Sequence, residues 1–169
     1  GGGAGIQADL KTMLANGVFG MTAIAALTAQ NTTGVTMVTN TPPEMLAAQI
    51  DAVFEDIPPV AVKIGMVSSA ELINVIADRL TAHDAENIVL DPVMVATSGA
   101  KLIEGDAIAA LTSKLFPLAT VITPNMPETQ ALCELAVEQG ADAIDYENGE
   151  SISSKNDMGQ LTARNVRHK

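Results

Sequence analysis

The 169 residues contain no tryptophan, one tyrosine, three phenylalanines, one cysteine and two histidines. A lone thiol, Cys133, cannot close an internal disulfide, and with only His83 and His168 beside it the ligands of a structural zinc site are missing. Basic residues are also scarce: nine Lys and Arg stand against 20 Asp and Glu, for a formal charge of -11. That balance repels phosphate backbones and anionic lipid, which excludes nonspecific nucleic-acid binding and a membrane-surface role. No apolar run reaches the roughly 18 to 20 residues that span a bilayer, and no basic stretch followed by an apolar core opens the chain. The expectation is a soluble, cytoplasmic protein.

What is abundant is aliphatic. Hydrophobic residues make up 47% of the chain and charged residues 17%, too apolar for disorder over most of its length and enough for one domain. The charge is uneven, because nine of the last 30 residues are charged. Residues 1–139 therefore read as the core, and residues 140–169, rich in Gly, Asn, Asp and Ser, as a polar connector and tail with a short helix from Lys155, not a separate domain.

Within the core, helical and strand patterns alternate. Ile6 to Asn16 is expected to be a helix closed by Gly17, Met21 to Ala29 a buried strand, and Val35 to Val38 a shorter strand after the turn signal NTTG. Thr41 and Glu44 fit a capping box opening a helix to about Glu55, and Ser68 and Glu71 fit another opening a helix through Leu80. The segments PVAVKIG, NIVLDP and TVITP are short apolar strands, followed by helices over Asp106 to Leu115 and near Pro127. Short strands separated by helices predict a mostly parallel sheet with helices on both faces. Ligands of such sheets bind beyond the carboxyl ends of the strands, which selects the loops after Ala29, Ile64, Leu90 and Thr123.

Those loops carry polar groups on one rim. Asp91, Asn125 and Glu128 are oxygen ligands of the kind that hold Mg²⁺ beside nucleotide phosphates, although Asp91 alone fits a simple cap equally well. The opening glycines before a helix present backbone N–H groups to an anion or form a flexible start; their spacing matches neither GxGxxG nor a Walker A loop. Asp9 faces the same mouth or complements the helix dipole. Lys63 reads as a strand-end cation and Cys133 as a small apolar core residue.

The segments GGGAGIQADLKT, IAALTAQNT, AVKIGM, VLDPVMVATSG and VITPNMPE, in this order, resemble the hydroxymethylpyrimidine and hydroxymethylpyrimidine-phosphate kinases of thiamine biosynthesis, in the ribokinase-like superfamily. The resemblance covers roughly Gly1 to Leu135. It implies a three-layer α/β/α sandwich with a mostly parallel central sheet, and ATP-dependent phosphorylation of 4-amino-5-hydroxymethyl-2-methylpyrimidine or its monophosphate with Mg²⁺. By resemblance, Asp9 lies beside the hydroxymethyl group, Gln30 bonds the aminopyrimidine edge through its amide donor and acceptor, and Met66 and Val93 wall the ring. Met66 equally suits an ordinary core filler. Asp91 and Glu128 fall where the family handles the metal, Asn125 and Glu128 where it handles nucleotide phosphates. Family members are commonly homodimers.

The family pattern also has a strand and an IAGSDS-like turn before the glycines, and a later KGGH-like strand with a GTGC loop whose cysteine is the proposed base. Neither GTGC nor TGxGD occurs among these residues, so no catalytic base is assigned and the sheet is expected to be truncated at both ends. A pyridoxal kinase is the runner-up, and a non-catalytic ligand-binding remnant the third reading.

Overall fold

Where the aliphatic residues sit in sequence decides which elements carry the core and which stand outside it. The structure, a computed structural model, describes residues 2–94 and 105–138. In chain order the elements are α1 (Ile6–Ala15), β1 (Ala26–Asn31), β2 (Gly34–Asn40), α2 (Pro43–Asp56), β3 (Val62–Ile64), α3 (Ala70–Ala82), β4 (Ile88–Leu90), α4 (Gly105–Ala110), β5 (Val121–Ile122) and α5 (Met126–Glu138). A π-helical turn, Leu111–Leu115, and a 3₁₀ turn, Phe116–Leu118, continue α4 towards β5.

Strands β3, β4 and β5 form a parallel sheet in that order, with Val62 opposite Ile88, Ile64 opposite Leu90 and Leu90 opposite Ile122. The ladder continues past the strand ends, since Asp91 N–H donates to Ile64 O at 2.9 Å and Thr123 N–H donates to Leu90 O at 2.9 Å. The three carboxyl ends are thus in step, and the segments that follow them leave from one edge. Strand residues Ile64, Ile88, Leu90 and Ile122 are buried, as parallel strands covered by helices require.

The helix α3 supplies the largest share of the core. Leu72, Ile73, Ile76, Ala77 and Leu80 recur at helical spacing and are all buried, joined by Leu46 and Ile50 of α2 and by Ile108, Leu111, Leu115 and Phe116. Each fully buried aliphatic of this kind stabilises by about 1.5–3 kcal/mol. The parallel α/β core expected from the alternating pattern is present.

Two expectations about the first third are corrected. Residues 21–25 are not a strand; β1 begins at Ala26 and pairs antiparallel with β2, with a register shift between Ala29 and Gln30. The turn NTTG is the reason, because Asn31 Oδ1 accepts from Thr33 N–H at 2.9 Å and Gly34 N–H at 3.1 Å, folding the two runs into a hairpin. This hairpin is exposed, Leu27 at 62% and Met37 at 65%. The segment before it is instead pinned to α2, with Gln49 Oε1 accepting from Ile24 N–H at 3.0 Å and Thr41 Oγ1 donating to Ile24 O at 2.7 Å.

Both capping expectations shift as well. Thr41 is spent on Ile24, so α2 starts from Pro42 without a side-chain cap. The cap of α3 is Ser69, whose Oγ accepts from Leu72 N–H at 3.3 Å, while Ser68 donates to Asn40 Oδ1 at 2.8 Å. At the end of α1 the expectation holds. Gly17 has φ 72°, its N–H donates to Leu14 O at 3.0 Å, and Val18 N–H donates to Met13 O at 2.8 Å, the paired bonds of a glycine-terminated helix. The connector and the helix expected from Lys155 lie outside the described residues, as does the end of VLDPVMVATSG beyond Met94.

Candidate active site

No residue of α1 is buried, so its position depends on specific contacts. One of them is electrostatic: Lys63 Nζ, from β3, lies 3.1 Å from both Asp9 Oδ1 and Asp9 Oδ2. The same ammonium lies 3.9 Å from Asp91 Oδ2, just past the end of β4. One cation therefore joins the carboxylate of α1 to the carboxylate at the sheet edge. All three side chains are about one-third exposed, from 31% to 35%, so the cluster opens to solvent.

Asp91 sits in a charged setting that its position dictates. Burial pushes its carboxyl above the ordinary aspartate range; Lys63 opposes that rise, and Glu128 and Asp9 add to it. Asp91 O accepts from Val93 N–H at 2.8 Å, a tight turn just past the end of β4.

Glu128 explains why that turn is held. At 2% exposure it is the buried acidic residue among those described, and its two oxygens take two different backbone groups: Oε1 accepts from Met94 N–H at 3.2 Å, and Oε2 from Asn125 N–H at 3.0 Å. Asn125 Oδ1 accepts in return from Glu128 N–H at 2.9 Å. Asn125 and Glu128 thus form a reciprocal cap at the start of α5. Glu128 also ties that helix to the segment after β4, fixing the loop that carries Asp91 and Val93.

The structure brings Asp9 and Asp91 together through Lys63; Asn125 and Glu128 bond each other, and Glu128 reaches the Asp91–Val93 turn through the N–H of the next residue, Met94. Met66 follows β3 at the same edge and is half-buried, while Gln30 is exposed on β1 next to the register shift. Lys63 is the residue that sequence reasoning undervalued. Its signal was present, because a single charge inside the apolar run PVAVKIGM needs a partner.

The family model for phosphomethylpyrimidine kinase matches residues 1–156. The chain belongs to the phosphomethylpyrimidine kinase family. It is 48% identical over 166 residues to the thiamine biosynthesis bifunctional protein ThiED of Geobacter sulfurreducens, covering 98% of this chain and 32% of that protein. It is 47% identical to the hydroxymethylpyrimidine/phosphomethylpyrimidine kinase of Escherichia coli over 79% of this chain and 50% of the relative. Among solved structures, phosphomethylpyrimidine kinase from Clostridium difficile matches with a TM-score of 0.72 and 40% identity, over 96% of this chain and 79% of the other. Pyridoxal kinase from Staphylococcus aureus, in complex with AMP-PCP and pyridoxal, matches with a TM-score of 0.67 and 34% identity, over 79% and 47%. The chain spans about half the length of most of the curated relatives it matches. The fold is that of the ribokinase-like kinases, and the pyridoxal kinases are the more distant neighbours in sequence.

Proposed function

We propose that this chain supplies the acceptor-binding side of an ATP-dependent kinase that phosphorylates 4-amino-5-hydroxymethyl-2-methylpyrimidine and its monophosphate. The observation that carries the reading is the family match over residues 1–156. The Asp9–Lys63–Asp91 cluster agrees with it, because an acceptor-side carboxylate and a nucleotide-side carboxylate then share one cation. In the transfer the acceptor oxygen attacks the γ-phosphorus of ATP, the bond to the ADP oxygen breaks, and the acceptor proton is released. Positioning and charge stabilisation dominate such a reaction.

In this reading Asp9 accepts a hydrogen bond from the hydroxymethyl group and orients its oxygen. Gln30 reads the aminopyrimidine edge with an amide donor and acceptor. Met66 and Val93, both half-buried, provide apolar walls that exclude water from the ring. Among the described residues no three His, Cys, Asp or Glu side chains converge into a metal cage. Mg²⁺ beside phosphates needs only one or two carboxylates and otherwise keeps water and phosphate oxygens, which Asp91 fits. When bound, the ion neutralises phosphate charge. Glu128 acts from behind Asp91, its oxygens engaged by Met94 and Asn125; Asn125 holds the adjacent helix start on the nucleotide side. The proposed assembly is a cytoplasmic homodimer.

Calorimetric titration of the chain with the hydroxymethylpyrimidine and with pyridoxal tests the acceptor reading. Saturable one-to-one binding of the pyrimidine, abolished by Asp9→Asn and weakened by Gln30→Ala, is the expected result. Preference for pyridoxal would favour the pyridoxal kinase reading, and absence of pyrimidine binding would overturn the proposal.

A further inference from the structure

Lys63 is not accounted for by the roles above, and its surroundings point to one. Its Nζ is equidistant from the two Asp9 oxygens at 3.1 Å, so any group placed beside that carboxylate also comes beside the ammonium. Asp9, Asp91 and Glu128 carry three negative charges against the single positive charge of Lys63. A phosphomonoester brings about -1.5 to -2 more at neutral pH. Without a local cation, such an acceptor would be driven from this mouth, whereas the neutral alcohol would not.

Three features suit Lys63 to the task. An ammonium is a compact charge with three donors on a flexible stem, so it can hold Asp9 and still present a donor to a second anion. The Asp91 oxygen at 3.9 Å is an ion pair beyond hydrogen-bond distance and does not consume that donor. The head group is not crowded on its Gly65 side, where even an ideal Cβ would reach only ordinary contact, 3.5 Å from Nζ. Lys11 is engaged elsewhere, donating to Gly2 O at 3.0 Å.

We propose that Lys63 is the specificity-determining residue for the phosphorylated acceptor, holding Asp9 while presenting a further donor to the phosphate of the monophosphate substrate, a contact that the unphosphorylated alcohol lacks. The inference rests on Asp9 being the acceptor-side carboxylate, as proposed above.

The test is calorimetric binding of the hydroxymethylpyrimidine and of its monophosphate to the wild-type chain and to Lys63→Met and Lys63→Arg, at low salt and in 0.3 M KCl. Lys63→Met should weaken the monophosphate about tenfold more than it weakens the alcohol, which it reaches only through the released Asp9, with Lys63→Arg close to wild type. In the wild type, the affinity ratio of monophosphate to alcohol should fall several-fold in high salt, a readout that needs no variant to fold. Equal losses for both ligands in Lys63→Met, or a ratio indifferent to salt, would overturn the specificity role and leave the acceptor assignment intact. If the wild type bound neither ligand, the acceptor assignment itself would fall and take this inference with it.

Discussion

Glu128 is where the geometry makes the sharpest demand. Its carboxylate is buried at 2% exposure and accepts from two backbone N–H groups on separate segments, Met94 at 3.2 Å and Asn125 at 3.0 Å. Hydrogen bonds to a charged acceptor contribute about 1.5–3 kcal/mol each, so Glu128→Ala removes about 3–6 kcal/mol of favourable interaction. Relief of the repulsion that Glu128 exerts on Asp91 returns part of this, and a net loss of about 2–4 kcal/mol is expected. With a urea dependence of about 2 kcal/mol per M, the unfolding midpoint followed by circular dichroism should fall by about 1–2 M. Glu128→Gln keeps one carbonyl acceptor but turns an amide donor towards the other N–H, so it should lose roughly half as much. The reasoning is refuted if Glu128→Ala unfolds within about 0.3 M of the wild type, a shift too small for two lost bonds.

Other perturbations follow from the same structure. Leu72 is 2% exposed inside the α3 core, and Leu72→Ala should cost about 2–5 kcal/mol in the same urea assay. Gly17 has φ 72°, so Gly17→Ala should destabilise by about 1–2 kcal/mol, in contrast to the usual benefit of replacing glycine. Ser69→Ala should cost about 1 kcal/mol through its cap, with Ser68→Ala closer to neutral; equal effects would show the cap to be misplaced. Burial holds the Asp91 carboxyl above the ordinary aspartate range, with Glu128 and Asp9 adding and Lys63 opposing. The folded state therefore binds the Asp91 proton more readily than the unfolded state, and this group's contribution to stability falls as pH rises from the ordinary aspartate value through the raised one, then levels off. Asp91→Asn should flatten that slope and raise the melting temperature at pH 7.

The parallel part of the fold was legible because IVL and VI are continuous aliphatic segments and VKI is broken only by Lys63, all between amphipathic helices, a pattern with few other solutions. The hairpin was misread for a physical reason: Met21 to Ala29 is as apolar as a buried strand, and periodicity cannot distinguish a core run from one that is pinned at Ile24 and then turned outward. Side-chain competition moved the caps, since Thr41 and Ser68 are ordinary cap residues diverted to tertiary partners 17 and 28 positions away. At the site, Asp91, Asn125 and Glu128 could be named from residue type and strand-end position. Their division of labour could not, because whether a carboxylate faces solvent or two backbone amides is decided by packing. Lys63 was visible as an isolated charge in an apolar strand, but its partners lie 54 and 28 residues away in sequence.

The most direct single measurement is a mass-resolved product assay in which Mg·ATP is offered the hydroxymethylpyrimidine, its monophosphate and pyridoxal together as competing acceptors. Phosphorylated pyrimidine should dominate the products. Pyridoxal 5′-phosphate as the main product would contradict the assignment.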